Sequence, residues 1–404
     1  MDGGWGLPSS SNHPSIAISG PDRVGHVALR KRVGDAVRLD DRKMPSRMEG
    51  LPTELLDWII FYLNQSPPSE RRVYREPEQT ITESPDRSLK HLSATCSRFA
   101  SLIRPHLFTH ARLGPREDWS DFRSFVTEWS LSQHVTSLVI SFPSEYQTQF
   151  SLRDWVTRLF DFLDPKRLTI LAPPRIIGDM LHTAINEKDG WAFEIDLQIL
   201  QLTQEGYGNP SAHQTANHTR QSSMVLNLRP WTALLFNEST SLRAYNHYEY
   251  FLSQVPSVLG QWGQGSLPVA PGPELTAHFH HLQDLTYTAV FPFYNHVDHV
   301  CSAMEYMPRL RKVTVQLAPE SGNRATELEQ RGSMDPNDPW MELESSYSVM
   351  VFKVRAKSSV MEFHSRDYHV EAVRSSLMEI MSGELLGWTH DGQGCWRRPK
   401  SEAL

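Results

Sequence analysis

The stretch VTSLVI (residues 135–140), followed by LRDWVTRLFDFL (152–163) and RLTIL (167–171), indicates the fold class. The outer two runs are short and rich in Val, Ile and Leu, as in buried strands, whereas the middle run repeats apolar residues at helical spacing. A second unit of the same kind consists of LQDLTYT (282–288), VDHVCSAMEYM (297–307) and LRKVTVQL (310–317). This order predicts stacked βα units and therefore an α/β domain.

The spacing between these strands suggests a degenerate repeat. Equivalent strands begin 32 residues apart in the first unit (167 − 135) and 28 in the second (310 − 282), near the upper end of the leucine-rich-repeat period. Weaker candidate strands are residues 194–202 and 241–245, and a last unit pairs a strand-like 348–356 with a helical 370–381. A Gly- and Pro-rich insertion (260–273) and a polar loop (318–339) interrupt the pattern. Residues 113–404 are therefore predicted to form an irregular leucine-rich-repeat-like α/β domain.

Two helical stretches precede this domain. In LPTELLDWIIFYL (51–63) the apolar residues recur at helical spacing, and Pro52 suits a first turn. The second stretch, SLKHLSATCSRFASLI (88–103), has Ser88 as a plausible cap and is interrupted by Pro105. Residues 64–87 between them are charged and punctuated by prolines. They are predicted to form a surface loop that packs in no core and can be shortened at little cost in stability.

Together the two stretches resemble the F-box. The first half of the resemblance consists of Leu51, Pro52, Glu54, Leu55, Leu56, Ile59, Ile60 and Leu63, and the second of Leu89, Leu92, Cys96, Arg98, Phe99 and Leu102. The ending Pro105, Leu107 and Phe108 is similar to fungal members of the family. The resemblance covers residues 48–112 and departs from the family in the long insertion at 64–87, where the family has a handful of residues.

The resemblance implies a function. An F-box docks on a Skp-type adaptor and through it on a cullin, so that the chain would be the substrate receptor of an SCF-type ubiquitin ligase complex, in the Ubl conjugation pathway. Residues 113–404 would recruit a target protein, whose identity the sequence does not reveal. The alternative is an F-box-like scaffold that acts without ubiquitination. The residues assigned to adaptor binding are Leu51, Pro52, Leu55, Leu56, Ile59, Ile60, Leu63, Leu89, Leu92, Cys96, Phe99 and Leu102.

Composition argues against nucleic-acid binding and membrane insertion and indicates the compartment. A net charge of −7, from 40 basic and 47 acidic residues, argues against nucleic-acid binding. About 18 consecutive apolar residues, as a membrane span needs, occur nowhere, and the start lacks a signal peptide. Three widely spaced cysteines favour a reducing compartment, cytoplasmic or nuclear. Residues 1–47 have the composition of a disordered tail, and translation could begin at Met1 or at Met48.

Several residues could in principle bind a metal ion, but we favour a purely structural role for them. The metal-competent side chains are His278, His280, His281, His296, His299 and Cys301, but their spacing fits no closed zinc site. The polar group Glu362, His364, Asp367 and His369 is interpreted as a solvated connection.

Catalysis and nucleotide binding are also disfavoured. Gly394, Cys395 and Trp396 are similar to the tripeptide around a papain-like nucleophile, but no histidine follows to serve as a base, so we expect a strand-end cysteine beside a buried tryptophan. Gly260, Gly263 and Gly265 do not match a phosphate-binding loop and are interpreted as loop glycines. We predict no enzyme activity, cofactor or metal; a small-molecule enzyme is a distant third possibility.

Overall fold

The computed structural model describes residues 48–114, 119–145, 152–204, 224–264, 273–320 and 335–399, so the predicted disordered tail lies outside the described residues. The chain divides into two compact units, Met1–Leu56 and Asp57–Leu404, with the division inside the first described helix. The second unit contains all the strands of the sheet described here. The boundary predicted between residues 112 and 113 falls inside the first strand of this sheet.

Within the described residues the sheet has ten strands, which follow chain order except at one edge, where the order is β8-β10-β9. The strands are β1 (His110–Leu113), β2 (Ser137–Ser141), β3 (Arg167–Ala172), β4 (Gln198–Thr203), β5 (Ala233–Thr240), β6 (Asp284–Val290), β7 (Lys312–Gln316), β8 (Glu362–Ser365), β9 (Thr389–His390) and β10 (Cys395–Arg397).

Strand directions divide the sheet into two parallel blocks. Strands β1–β3 are mutually parallel, as are β5–β8. Strand β4 lies between the blocks and is antiparallel to both neighbours, and β10 is antiparallel to β8 and β9. The α/β class and the mostly parallel sheet confirm the predicted βα units. The reversed β4 departs from the all-parallel sheet that a regular solenoid of repeats would build.

Helices connect most of the strands. They are α1 (Thr53–Leu63), α2 (Pro68–Arg72), α3 (Ser88–Ser93), α4 (Ser97–Leu107), α5 (Trp119–Glu128), α6 (Leu152–Phe162), α7 (Pro174–Met180), α8 (Gly190–Phe193), α9 (Val258–Gln264), α10 (Pro273–His278), α11 (Tyr294–Ala303), α12 (Asp338–Ala356) and α13 (Glu371–Glu384). Short 3₁₀ turns occupy Ser132–His134, Val225–Asn227, Leu242–Asn246, Tyr250–Leu252, Met304–Tyr306 and Arg366–His369.

The main core lies between one face of the sheet and helices that include α6, α7, α9, α11, α12 and α13. Alternate strand residues such as Ile140, Ile170 and Val315 are fully buried there, together with Leu159 of α6 and Val300 of α11. Alternation is the expected pattern, because successive side chains of a strand point to opposite faces. Burying each such side chain is worth about 1.5–3 kcal/mol, so this face accounts for most of the hydrophobic stabilisation.

Two glycines allow α9 to approach α11 closely. A Cβ atom at Gly263 would lie 1.7 Å from the backbone oxygen of His299, and one at Gly260 would lie 2.7 Å from Cε1 of His296. The interpretation of Gly260 and Gly263 as loop glycines is therefore wrong, since both lie inside a helix and any side chain there would collide with α11. Gly265 lies outside the described residues.

Two of the strands assigned from the sequence need correction. Residues 348–356, predicted as a strand, belong to α12, whose buried residues Leu343, Tyr347, Met350 and Val354 recur at helical spacing. Residues 241–245 form most of a 3₁₀ turn, and the strand is the preceding segment, β5. That strand contains the buried polar residues Asn237 and Glu238, so it is not a continuous apolar run in the sequence.

Candidate partner-binding surface and the strap on the sheet

Helix α1 carries an exposed aromatic surface. Trp58, Phe61 and Tyr62 are 59%, 66% and 75% exposed. Their rings contact one another: the centroids of Trp58 and Tyr62 are 6.2 Å apart and stacked, and those of Phe61 and Tyr62 are 5.8 Å apart. We call these three residues the aromatic face of α1. Large apolar side chains grouped in solvent usually mark a surface that binds a partner.

The predicted adaptor-binding residues lie mostly on the other sides of these helices. Leu56, Ile60 and Phe99 are buried, whereas only Pro52 and Leu55 are well exposed. The remainder are partly exposed: Leu51, Ile59, Leu63, Leu89, Leu92, Cys96 and Leu102. The residues assigned from the sequence form the apolar stripe and do not include the aromatic face. The available signal was the presence of aromatic residues at positions where an amphipathic helix normally carries polar ones.

The second helical stretch is two helices rather than one. Helix α3 ends at Ser93 and α4 begins at Ser97, with Cys96 extended between them (φ −155°). The hydroxyl groups of Ser93 and Thr95 donate hydrogen bonds to the carbonyls of Lys90 and Leu92, which competes with continuation of the helix. Pro105, predicted to interrupt the helix, lies in the last turn of α4, which continues to Leu107.

The segment between α1 and α3 packs on the sheet. We call residues 68–82 the strap; it lies on the face of the sheet opposite the main core. Val73 and Ile81 are almost fully buried there, in a second apolar cluster with the strand residues Val139, Leu171, Ile199 and Leu235 and with Leu197. The prediction of a surface loop that packs in no core is therefore wrong for this part of residues 64–87.

Polar contacts fix the end of the strap that lies over β5 and β7. The side-chain amide of Asn237 donates hydrogen bonds to the carbonyls of Val73 (2.8 Å) and Arg75 (2.7 Å). Gln316 donates to the carbonyl of Tyr74 (3.1 Å), and the Arg366 guanidinium lies 3.6 Å from the centroid of the Tyr74 ring. Buried amide donors thus satisfy the strap's backbone, which makes the strap part of the fold.

The other end of the strap is held over β2 and β3. Gln79 donates a hydrogen bond to the carbonyl of Phe142 (2.6 Å) and accepts one from the hydroxyl of Ser141. Glu70 forms an ion pair with Arg167 of β3. The strap therefore contacts β2, β3, β4, β5 and β7.

A buried polar cluster surrounds Glu238 on the helical side of the sheet. Its carboxylate accepts hydrogen bonds from the hydroxyls of Tyr287 (2.8 Å) and Ser257, and His296 Nε2 lies 2.7 Å from Oε2. All four residues are buried. Ser257 and His296 both bond to the carboxylate, so the cluster lacks the hydroxyl–imidazole pair that a catalytic triad requires.

A second buried carboxylate, Asp367, joins β7, β8 and α12. Its Oδ2 atom accepts hydrogen bonds from the Tyr347 hydroxyl and from the N–H groups of Leu317 (2.6 Å) and Ala318 (3.0 Å). Burial raises the pKa of Asp367 to about 6, even though these hydrogen bonds act to lower it. Asp367 is thus a buried anchor, and its interpretation as part of a solvated connection is wrong. Glu362 and His364 of the same group belong to strand β8.

The raised pKa of Asp367 predicts that the stability of the protein depends on pH. The folded state holds the proton more tightly than the unfolded state, whose pKa is near 3.8, so the contribution of this group to stability falls as pH rises from about 4 to 6. The loss amounts to about 3 kcal/mol at most. Asp367→Asn removes this titration, so its unfolding free energy should vary less steeply over that window in urea titrations. Parallel wild-type and variant profiles would contradict the assignment.

The candidate metal ligands and nucleophile are not assembled into a site. His296 bonds to Glu238, and Cys301 contacts the sulfur of Met350 at 3.3 Å. Within the described ranges, no group of three or more His, Cys, Asp and Glu side chains is arranged to hold a metal ion. Cys395 begins the short strand β10 beside the buried Trp396, as predicted, and burial raises the pKa of its thiol to about 11.

Comparison with known protein families, with curated proteins and with solved structures found no match for this chain. None of the helices in the described segments has both the length and the apolar character needed to cross a membrane.

Proposed function

We propose that this chain is a substrate-recognition subunit of an SCF-type ubiquitin ligase, which binds a Skp-type adaptor through the aromatic face of α1. The observation that carries the proposal is the exposure of Trp58, Phe61 and Tyr62 on one short helix. Aromatic residues dominate the energetic centres of protein interfaces, because they bury a large area at a low cost in side-chain entropy. The same helix contains Glu54 and is directly preceded by Leu51 and Pro52, which together resemble the start of an F-box.

In the unit from Asp57 to Leu404, the strap provides a short connection between the aromatic face of α1 and the sheet. Only residues 64–67 separate α1 from the strap, and the strap is packed and hydrogen-bonded to the sheet. A partner bound to Trp58 would therefore be connected to the α/β domain by a short segment instead of a long flexible linker. Such a connection suits a receptor that holds a target near a bound enzyme complex, in the cytoplasm or nucleus, with the irregular leucine-rich-repeat-like domain as the recruiting part.

Substitution of the aromatic face tests adaptor binding. Trp58→Ala with Tyr62→Ala should reduce the affinity for a purified Skp-type adaptor by at least about a hundredfold, since central aromatic residues are each worth about 2 kcal/mol or more. Stability should change little, because both side chains are exposed. Titration calorimetry measures the affinity, and Phe352→Ala with Leu386→Ala, two other exposed apolar residues, is the matched control. A wild-type chain that does not bind the adaptor would refute the proposal.

The alternative is an F-box-like scaffold that binds the adaptor without directing ubiquitination. Both functions use the same face of α1, so adaptor affinity does not separate them. Purification of the full chain from cells, with and without proteasome inhibition, does separate them. A receptor should recover cullin with the adaptor and should accumulate target proteins when the proteasome is inhibited, whereas a scaffold should recover the adaptor alone.

A further inference from the structure

A second exposed aromatic surface lies where β5, β6 and β7 end. The connection after β5 contributes Phe251 and Leu252, which are 51% and 63% exposed, and the start of α11 contributes Tyr294, which is 48% exposed. The first turns of α12, the next described helix after β7, add the exposed Met341. We call these four residues the platform. Connections at the same end of neighbouring strands are a common location for binding residues.

The platform rests on a packed aromatic layer. The ring of Tyr250 lies 4.8 Å from that of Tyr245 and 5.3 Å from that of Phe293. Asn295 donates a hydrogen bond to the carbonyl of Phe251 (3.1 Å), which connects the two segments. The exposed side chains are therefore carried by fixed backbone, so a partner would bind them with little loss of conformational entropy in this protein.

Two carboxylates of α12, those of Asp338 and Glu342, lie beside the platform. Glu342 accepts a hydrogen bond from the backbone N–H of Tyr294 (2.9 Å), and Asp338 precedes it by one helical turn. Burial, followed by the charges of Asp338 and Glu342, raises the pKa of Tyr250 to about 12. In the part of the chain that the structure describes, no Lys, Arg or His side chain forms an ion pair with Asp338 or Glu342. The apolar platform therefore lies beside two carboxylates that form no ion pair in the described parts of the chain.

We infer that the platform binds a basic segment of a partner protein, in which Lys or Arg stands beside an apolar residue. The apolar residue would pack on Phe251 and Leu252, and the cation would neutralise Asp338 and Glu342 while lying against an aromatic ring. A nucleic acid or an anionic membrane is disfavoured, because the same carboxylates would repel its phosphates. The inference rests on the proposed function in one respect: it assigns the platform as the surface that recruits the target.

Selection from a random peptide library displayed on phage, with the full chain as bait, tests the inference. The selected peptides should be enriched in Lys and Arg next to apolar residues. Their affinity, measured by fluorescence anisotropy, should fall by at least about tenfold in Phe251→Ala with Leu252→Ala, and likewise in Asp338→Asn with Glu342→Gln. It should also weaken with added salt.

Two control double variants remove two carboxylates and two exposed apolar side chains at positions outside the platform. Glu371→Gln with Glu379→Gln neutralises two other carboxylates of exposed residues, and Phe352→Ala with Leu386→Ala truncates two other exposed apolar residues; neither pair should change the affinity. Peptides without basic enrichment, failure to select any peptide, or equal losses in the control variants would overturn the inference. If the adaptor still binds in that case, only the platform is refuted and the proposed function stands.

Discussion

Replacing both Val73 and Ile81 of the strap by alanine is expected to lower the free energy of unfolding by about 3 kcal/mol or more. Both side chains are almost fully buried against Val139, Leu171, Ile199 and Leu235. Truncation removes their apolar contacts and leaves a cavity that a stiff sheet cannot collapse to fill. Urea unfolding followed by circular dichroism measures the change.

The matched control lies in the same segment. Glu76 and Glu83 are exposed, so Glu76→Ala with Glu83→Ala should change the unfolding free energy by no more than about 0.5 kcal/mol for each substitution. Replacing residues 68–82 by a short Gly/Ser linker should destabilise the protein more than the Val73/Ile81 pair does, because it also removes the partners of Asn237 and Gln316. If the alanine pair unfolds at the same urea concentration as the wild type, the strap is not part of the core.

Glu238→Ala is expected to cost about 3–5 kcal/mol or to prevent folding. The substitution leaves the hydroxyls of Tyr287 and Ser257 and the imidazole of His296 buried without their acceptor. Each buried polar group without a partner costs about 1–3 kcal/mol, because it has lost its bonds to water and gained none in return.

Glu238→Gln keeps the prediction testable if the alanine variant does not fold. The amide has nearly the same shape and can still accept from one hydroxyl, so the loss should be clearly smaller than for alanine. Glu379→Ala, at an exposed position, serves as the control and should be close to neutral. Equal unfolding free energies for wild type and Glu238→Ala would show that the cluster does not stabilise the fold.

The elements that the sequence predicts correctly share one property: each carries its signal within one segment, either as a short run buried at almost every position or as apolar residues at helical spacing. Strands β2, β3, β6 and β7 and helices α6 and α11 were all predicted close to their observed positions. Helix α12 was assigned wrongly over residues 348–356, because Val349, Val351 and Val354 favour a strand when they are considered alone. The period of its buried residues becomes clear only over the full helix, from Leu343 to Val354.

The sequence does not distinguish the aromatic face of α1, for a related reason. The apolar stripe of α1 and its aromatic residues together make the helix hydrophobic on nearly every side, so the sequence does not distinguish the buried side from the exposed one. The structure buries Leu56 and Ile60 and leaves Trp58 and Tyr62 in solvent. Exposure depends on what lies against each side of the helix, and that is a property of the tertiary structure.

By itself, the sequence determined the α/β class, the alternation of strands and helices, and the presence of a short apolar helix before the sheet, since each depends on a period within one segment. Only the tertiary structure decided that a charged segment rich in proline covers the second face of the sheet, and that Asn237 and Glu238 belong inside. The physical reason is that burial of a polar group depends on its hydrogen-bond partners. Asn237 finds its partners at Val73 and Arg75, which are distant in the chain and adjacent only in the folded protein.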